Sequence, residues 1–192
     1  MSGVTNIMIA GVGGQGTILA GRIISILALR AGQAVKVSEV HGMSQRGGSV
    51  LTQVRYGGEV HSPIIDPGET DILLAFEKLE ALRLLPLLKP RGHALVNTQE
   101  LPPLPVLSGA MPYPADIEQR LLASQAQVTL LDAYTLALKA GSAKAVNTVL
   151  LGKLSCILEF PPEAWRQAIT EAVKAQFLQL NLQAFDLGRE AV

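Results

Sequence analysis

A short apolar run, a glycine-rich turn and a long apolar stretch follow one another at the start of the chain, and this order leaves few folds open. Residues 6–10 (Asn-Ile-Met-Ile-Ala) have the length and composition of a buried strand. Gly11, Gly13, Gly14 and Gly16 punctuate the next six residues, and residues 17–30 have the length and side chains of a helix. A strand that turns through glycines straight into a helix is the opening unit of an α/β domain. The helix carries Ile18, Leu19, Ile23, Ile24, Ile26 and Leu27, with Arg22 and Arg30 on one polar stripe. Apolar almost all round, it is expected to be covered on more than one side.

Ala31-Gly32 ends that helix, and residues 34–40 predict a second strand leading to Gly42, Gly47 and Gly48. Val50, Thr52, Val54 and Tyr56 alternate, Gly57-Gly58 follows, and residues 60–65 are again apolar, the pattern of an antiparallel hairpin. The sheet is therefore predicted to be mixed. Residues 71–76 predict a strand and 77–85 a helix stopped by Pro86 and Pro90; Gly92 then turns the chain into a strand at 93–97, completing a right-handed crossover. Five prolines between residues 101 and 114 predict an irregular surface loop. A helix at 115–123, a strand at 128–132 and helices to about 185, broken at Pro161-Pro162, complete the alternation. The fold class expected is α/β: a three-layer αβα, Rossmann-like domain spanning residues 1–192, with a mixed sheet containing one β-hairpin and a C-terminal helical cap.

Composition narrows the partners. Sixteen basic residues balance sixteen acidic ones, so neither nucleic acid nor an anionic membrane surface is expected to bind. Arg22 and Arg30 interrupt the most apolar stretch, residues 17–35, which argues against a membrane span. The first apolar run passes directly into the glycine turn rather than a cleavage site, so no secretory leader and a cytoplasmic location are expected. Charged residues make up only 17% of the chain, against roughly 25% in an average soluble domain, which suggests a surface covered by another protein. The single cysteine, Cys156, excludes an intrachain disulfide and any cluster held by four cysteines of this chain, and its apolar setting predicts an inert core thiol.

Two loops carry the candidate chemistry. Gly11-Val12-Gly13-Gly14-Gln15-Gly16 has the form G-x-G-x-x-G between a strand and a helix that opens at Thr17. There the free N–H groups of the first helical turn favour an anion. Glu39, at the end of the second strand, stands where a ribose-binding acid belongs in a nicotinamide-nucleotide enzyme. The second loop contains His41, Gly42, Met43, Ser44, Gln45, Arg46, Gly47 and Gly48. Strand C-termini form the ligand edge of an open α/β sheet, so both loops are expected to border one cavity. Arg46 supplies donors for a carboxylate or phosphate, Ser44 and Gln45 neutral hydrogen bonds, and His41 a group that titrates near neutrality. The alternative for both loops is structural: glycines for tight packing, Met43 as filler, and Arg46 in a salt bridge. His61 and His93 have no metal-ligand neighbours in sequence, Asp71 reads as a turn residue, and no metal site is expected.

The first loop, the run His-Gly-Met-Ser-Gln-Arg-Gly-Gly at 41–48 and the segment 71–83 resemble the gamma-type domain of 2-oxoacid:acceptor (pyruvate/ketoisovalerate) oxidoreductases, and residues 147–154 and 181–188 resemble that domain's last helices. The second loop is more similar to the beta-subunit form of the indolepyruvate:ferredoxin branch than to the pyruvate or 2-oxoglutarate branches, whose loop has Gly-Pro before Arg-Gly-Gly. The resemblance implies oxidative decarboxylation of an aryl pyruvate to an acyl-coenzyme A, with electrons passed to ferredoxin. It implies thiamine diphosphate with magnesium and 4Fe-4S clusters on a large partner subunit, with none of these cofactors bound by this chain alone; separately, an isolated chain with an uncovered partner face is expected to be able to form a homodimer through it. Arg46 is the one candidate catalytic residue. Cofactor binding, substrate binding or subunit contact would fall to Gly11, Gly13, Gly14, Gln15, Gly16, Thr17, His41, Gly42, Ser44, Gln45, Arg46, Gly47 and Gly48. A nicotinamide-nucleotide oxidoreductase and a non-catalytic scaffold are the competing expectations.

Overall fold

The structure is a computed structural model that describes residues 3–41 and 48–191. Six strands form one sheet in the order β2-β3-β1-β4-β5-β6: β1 (Thr5–Val12), β2 (Ala34–His41), β3 (Ser49–Gly57), β4 (Thr70–Ala75), β5 (Leu88–Asn97) and β6 (Gln127–Leu131). β1, β4, β5 and β6 run parallel, whereas β3 is antiparallel to both β1 and β2. The helices are α1 (Thr17–Arg30), α2 (Lys78–Leu84), α3 (Leu104–Leu107), α4 (Ile117–Leu122), α5 (Ala133–Lys139), α6 (Val146–Leu154), α7 (Pro162–Ala172) and α8 (Ala175–Glu190), with short 3-10 turns at Leu85–Leu87 and Ala143–Ala145.

Alternation along β1 divides the interior. Ile7 and Ile9 face a cluster with Ile23, Leu27, Val149, Leu150, Trp165 and Phe185, drawn from α1, α6, α7 and α8. Met8 and Ala10 face the opposite side, against Ala81 of α2 and Ile117 and Leu121 of α4. A strand buried on both faces must be apolar throughout, as residues 7–10 are. The C-terminal helices therefore form one outer layer together with α1, giving the three-layer α/β architecture expected. α1 is covered by the sheet on one side and by α6 and α7 on others, although Ile18 and Leu29 stay exposed. Among the described residues no helix is long and apolar enough to cross a membrane.

The sheet is mixed, but its hairpin is formed by different strands from those predicted. Residues 60–65 make no strand; β3 pairs instead with β2, in register from Ala34↔Gly57 to His41↔Val50. The reason is edge availability. β1 occupies the other side of β3 from Thr5↔Tyr56 to Val12↔Ser49, so no free edge remains, and Pro63 lacks a ladder donor. Side chains of β3 hold the segment against the sheet face: Arg55 donates to the carbonyls of Ser62 and Ile64, and Gln53 accepts from the Ile65 N–H. Val60 and Ile65 are buried as a result.

Further expectations shift. β5 begins at Leu88 and includes Pro90, because the ladder jumps from Thr70↔Leu88 to Ile72↔His93 and the intervening residues bulge. Arg91 there adopts a left-handed φ of 63°. The proline-rich loop is not wholly irregular: Pro105 sits in the first turn of α3, where a missing N–H costs nothing. The last helix runs on to Glu190, and residues 140–145 add a break before α6.

Candidate functional site

The first glycine loop is shaped by its own side chains and by its neighbours. Gln15 turns inward: its Oε1 accepts the Val12 N–H at 2.7 Å and its Nε2 donates to the Phe76 carbonyl at 3.0 Å. Gly11 is enclosed rather than open, since a Cβ there would lie 2.9 Å from both Gln15 Oε1 and Thr17 Cγ2. Gly11 and Gln15, predicted among the binding residues, thus serve to hold the loop's shape. Gly14 and Gly16 take left-handed φ values of 98° and 88°. Gly16 also abuts Asn147, whose Nδ2 would come within 2.7 Å of an added Cβ.

The remaining loop residues face a cavity of about 430 Å³. Gly13, Gly14, Gly16 and Thr17 form one wall; Glu39 and His41 of β2 form another; Ile18 and Val50 supply apolar surface. α1 starts at this cavity after Gly16, which has no side chain to cap it, and with no acidic residue in its first turn, so among the described residues no side chain caps its leading N–H groups. The two loops meet here: the Gly13 N–H donates to the Gly48 carbonyl at 2.9 Å, and His41 enters the lining. Gly42, Met43, Ser44, Gln45, Arg46 and Gly47 lie outside the described residues.

Glu39 shares the cavity with the glycines, as a nucleotide reading requires. The strand order differs from a dinucleotide fold, however. β3 stands between β1 and β2, so the strand carrying Glu39 is two spacings, roughly 9–10 Å, from β1 instead of one.

Helix α2 gathers a second group at the same rim, which the motif reading did not find. Glu77, 1% exposed, caps α2 by accepting the Glu80 N–H at 2.9 Å, and also accepts the Leu101 N–H at 3.2 Å and the Tyr113 hydroxyl at 2.5 Å. Burial, and then the Glu77 carboxylate itself, push the Tyr113 phenol far above its ordinary range. Glu80, also buried, accepts the Ser49 hydroxyl at 2.6 Å and Arg83 Nη1 at 2.8 Å. One turn of helix thereby ties down β3 just after the second loop and both ends of the proline-rich segment. The available signal was an acid placed between a strand and a helix with a second acid three residues on, the spacing of a helix start.

Other candidates fall away from this rim. His61 pairs with Glu59 at the surface, and His93 lies on β5 in a separate cleft with Asp71 and Lys89. Asp71 is inside β4, where it accepts the Asn6 N–H at 2.8 Å and pairs with Lys89 at 2.8 Å. Cys156 is exposed, contrary to the core thiol expected, because it falls just past the end of α6 on the outward side. Among the described residues no group of three or more His, Cys, Asp or Glu could hold a metal ion. With one exposed cysteine, this chain's own residues do not fit an iron-sulfur cluster.

Comparison with known proteins identifies the family of this chain. The family described as pyruvate ferredoxin/flavodoxin oxidoreductase matches residues 6–191, and the chain belongs to that family. Within it, similarity over the full length runs to the indolepyruvate oxidoreductase subunit IorB of Thermococcus kodakarensis, 39% identical over 191 residues that span 97% of this chain and 95% of the relative. The fold resembles that of the gamma subunit of a keto/oxoacid ferredoxin oxidoreductase from Geobacter sulfurreducens, with a TM-score of 0.73 and 26% identity, covering 97% and 96% of the two chains. It also matches part of the 2-oxoglutarate:ferredoxin oxidoreductase of Magnetococcus marinus, with a TM-score of 0.74 and 22% identity, over 97% of this chain but 30% of that one.

Proposed function

We propose that this chain is the small subunit of a thiamine-diphosphate-dependent indolepyruvate, or more broadly aryl pyruvate, ferredoxin oxidoreductase. The observation that carries the reading is the cavity at which both glycine loops meet, in a chain 39% identical to an indolepyruvate oxidoreductase subunit along almost its whole length. The reaction is oxidative decarboxylation of the oxoacid to its acyl-coenzyme A, with the electrons passed to ferredoxin. Thiamine diphosphate with magnesium and the 4Fe-4S clusters belong to a large partner subunit and supply the carbanion and electron-transfer chemistry there. The whole of residues 1–192 acts as one domain, in the cytoplasm, and the isolated chain is inactive; a homodimer of it would use the face meant for the partner.

This chain's own contribution is positional. Gly14, Gly16 and Thr17 offer backbone N–H groups at the head of α1, Gly13 ties the first loop to the end of the second through the Gly48 carbonyl, and His41 and Arg46 would act from the second loop. Together they orient an anionic group of the oxoacid or of coenzyme A and exclude water when the large subunit closes over the cavity. Gly11 and Gln15 keep the first loop in shape, and Gly42, Ser44, Gln45, Gly47 and Gly48 are assigned to ligand binding or contact with the large subunit.

The test is co-expression with the large subunit, co-purification, and indolepyruvate-dependent reduction of an electron acceptor. Activity is expected only when both chains are present, and Arg46→Ala is expected to lower turnover at least tenfold with assembly intact. Unchanged turnover would assign the loops to scaffolding alone. Because Glu39 borders the cavity, NADH titration of the isolated chain is the companion measurement; tight, saturable binding would favour a nicotinamide enzyme and overturn the proposal.

A further inference from the structure

A second cleft, of about 380 Å³, lies behind the glycine loop between α1, the 3-10 turn at Ala143–Ala145 and the junction of α7 with α8. Its walls are chiefly apolar, including Leu19, Phe177 and Leu180, yet Lys144 and Lys174 stand at its rim. Neither lysine forms an ion pair among the described residues, and no acidic residue lines the cleft. α8, sixteen residues long, begins there just after Lys174, without a side-chain cap and with no acid in its first turn. Asn147 adds an independent observation. It is 3% exposed and lines the cleft; its Oδ1 is engaged by the Thr148 N–H and hydroxyl, while its Nδ2 donates to no described residue. An amide donor in the wall of a cleft favours a guest or water that accepts from it.

We propose that this cleft binds a small apolar carboxylate, an aryl or medium-chain acid. The hydrocarbon part would lie against Leu19, Phe177 and Leu180, and the carboxylate would meet the two lysines and the start of α8. The volume falls in the lower part of the roughly 300–1,000 Å³ common for small-molecule sites. The positive rim selects an anion, and the apolar walls reject a fully hydrated one such as free phosphate. Asn147 also touches Gly16, so an acid held here would lean on the wall it shares with the glycine-loop cavity.

Isothermal titration of the full chain with 3-phenylpropionate, indole-3-acetate and octanoate tests this, with 3-phenylpropanol as the neutral counterpart and inorganic phosphate as the hydrophilic one. At least one acid is expected to bind with one-to-one stoichiometry, at least tenfold tighter than the alcohol and than phosphate. The double variant Lys144→Ala/Lys174→Ala is expected to lose at least tenfold in affinity, with an unchanged circular dichroism spectrum. Absence of saturable binding by all three acids overturns the proposal, as does equal binding of the alcohol; neither result depends on a variant folding. Undiminished binding by a folded double variant would place the ligand elsewhere and overturn it too. Loss of acid binding once the large subunit is added would assign the cleft to a protein interface, with the same consequence.

Discussion

Replacing Gly188 by alanine should weaken the packing of the two helices that close the C-terminal half of the core. α6 and α8 cross so closely that a Cβ at Gly188 would lie 1.9 Å from the Val149 carbonyl oxygen, and one at Gly152 2.1 Å from that of Phe185. Both obstacles are backbone, so no rotamer change relieves them. Restoring ordinary contact of 3.4 Å requires the helices to part by about 1.5 Å. That gap would strip dispersion contacts from Val149, Ala184 and Phe185, all 0% exposed. Overpacking of this severity costs about 3 kcal/mol. Alanine's better helix propensity returns about 1 kcal/mol, which leaves a net loss of about 2 kcal/mol. For a chain of this size the loss corresponds to a drop in Tm of about 4–8 °C. Thermal unfolding of purified Gly188→Ala, with the exposed α8 substitution Gln183→Ala as a control expected to stay within about 0.5 kcal/mol, measures it. A Gly188→Ala protein that melts at or above the parent temperature would show that the helices are not in backbone contact.

Gly16→Ala and Gly14→Ala should differ. Both place alanine at a left-handed φ, but among the described residues the site at Gly14 is open while that at Gly16 meets Asn147, so urea midpoints should report about 1 kcal/mol lost for Gly14 and about twice that for Gly16. Equal losses would discount the Asn147 contact. Because the folded state holds the Tyr113 phenol protonated, the unfolded chain releases that proton first, from about pH 10; stability is therefore full below pH 10 and falls as pH rises above it. Tyr113→Phe should make that alkaline decline shallower, and an identical slope in the variant would refute the upward shift that burial, and then Glu77, impose on the phenol. Cys156 should react once, and fully, with a maleimide in the native state, as read by intact-mass spectrometry; protection until denaturant is added would return it to the core.

Much of the site was legible from residue order. The glycine turn between β1 and α1 depends only on a buried strand running into a helix, and the meeting of the two loops follows from both lying at strand C-termini. The roles of individual side chains were less legible. Gln15 reads as a ligand donor in a motif, but in space its amide closes the loop between Val12 and Phe76. Glu77 and Tyr113 are thirty-six residues apart, and nothing local to either announces the other.

Elements whose signal is complete within a few residues were determined by the amino-acid sequence itself: the apolar run of β1, the breakers that end α1 and α2, and the prolines that keep residues 101–114 out of the sheet. Tertiary structure decided whatever depends on competition for a partner. Residues 60–65 carry a strand-like pattern, yet both edges of β3 were already taken, so the hairpin closed with β2 instead. Cys156 sits in an apolar stretch but emerges on the outer side of a helix end, and Gly152 and Gly188, unremarkable in sequence, became the contact between α6 and α8. Hydrophobic pattern specifies that a segment is to be buried; only the assembled chain, with its finite number of edges and faces, specifies against what.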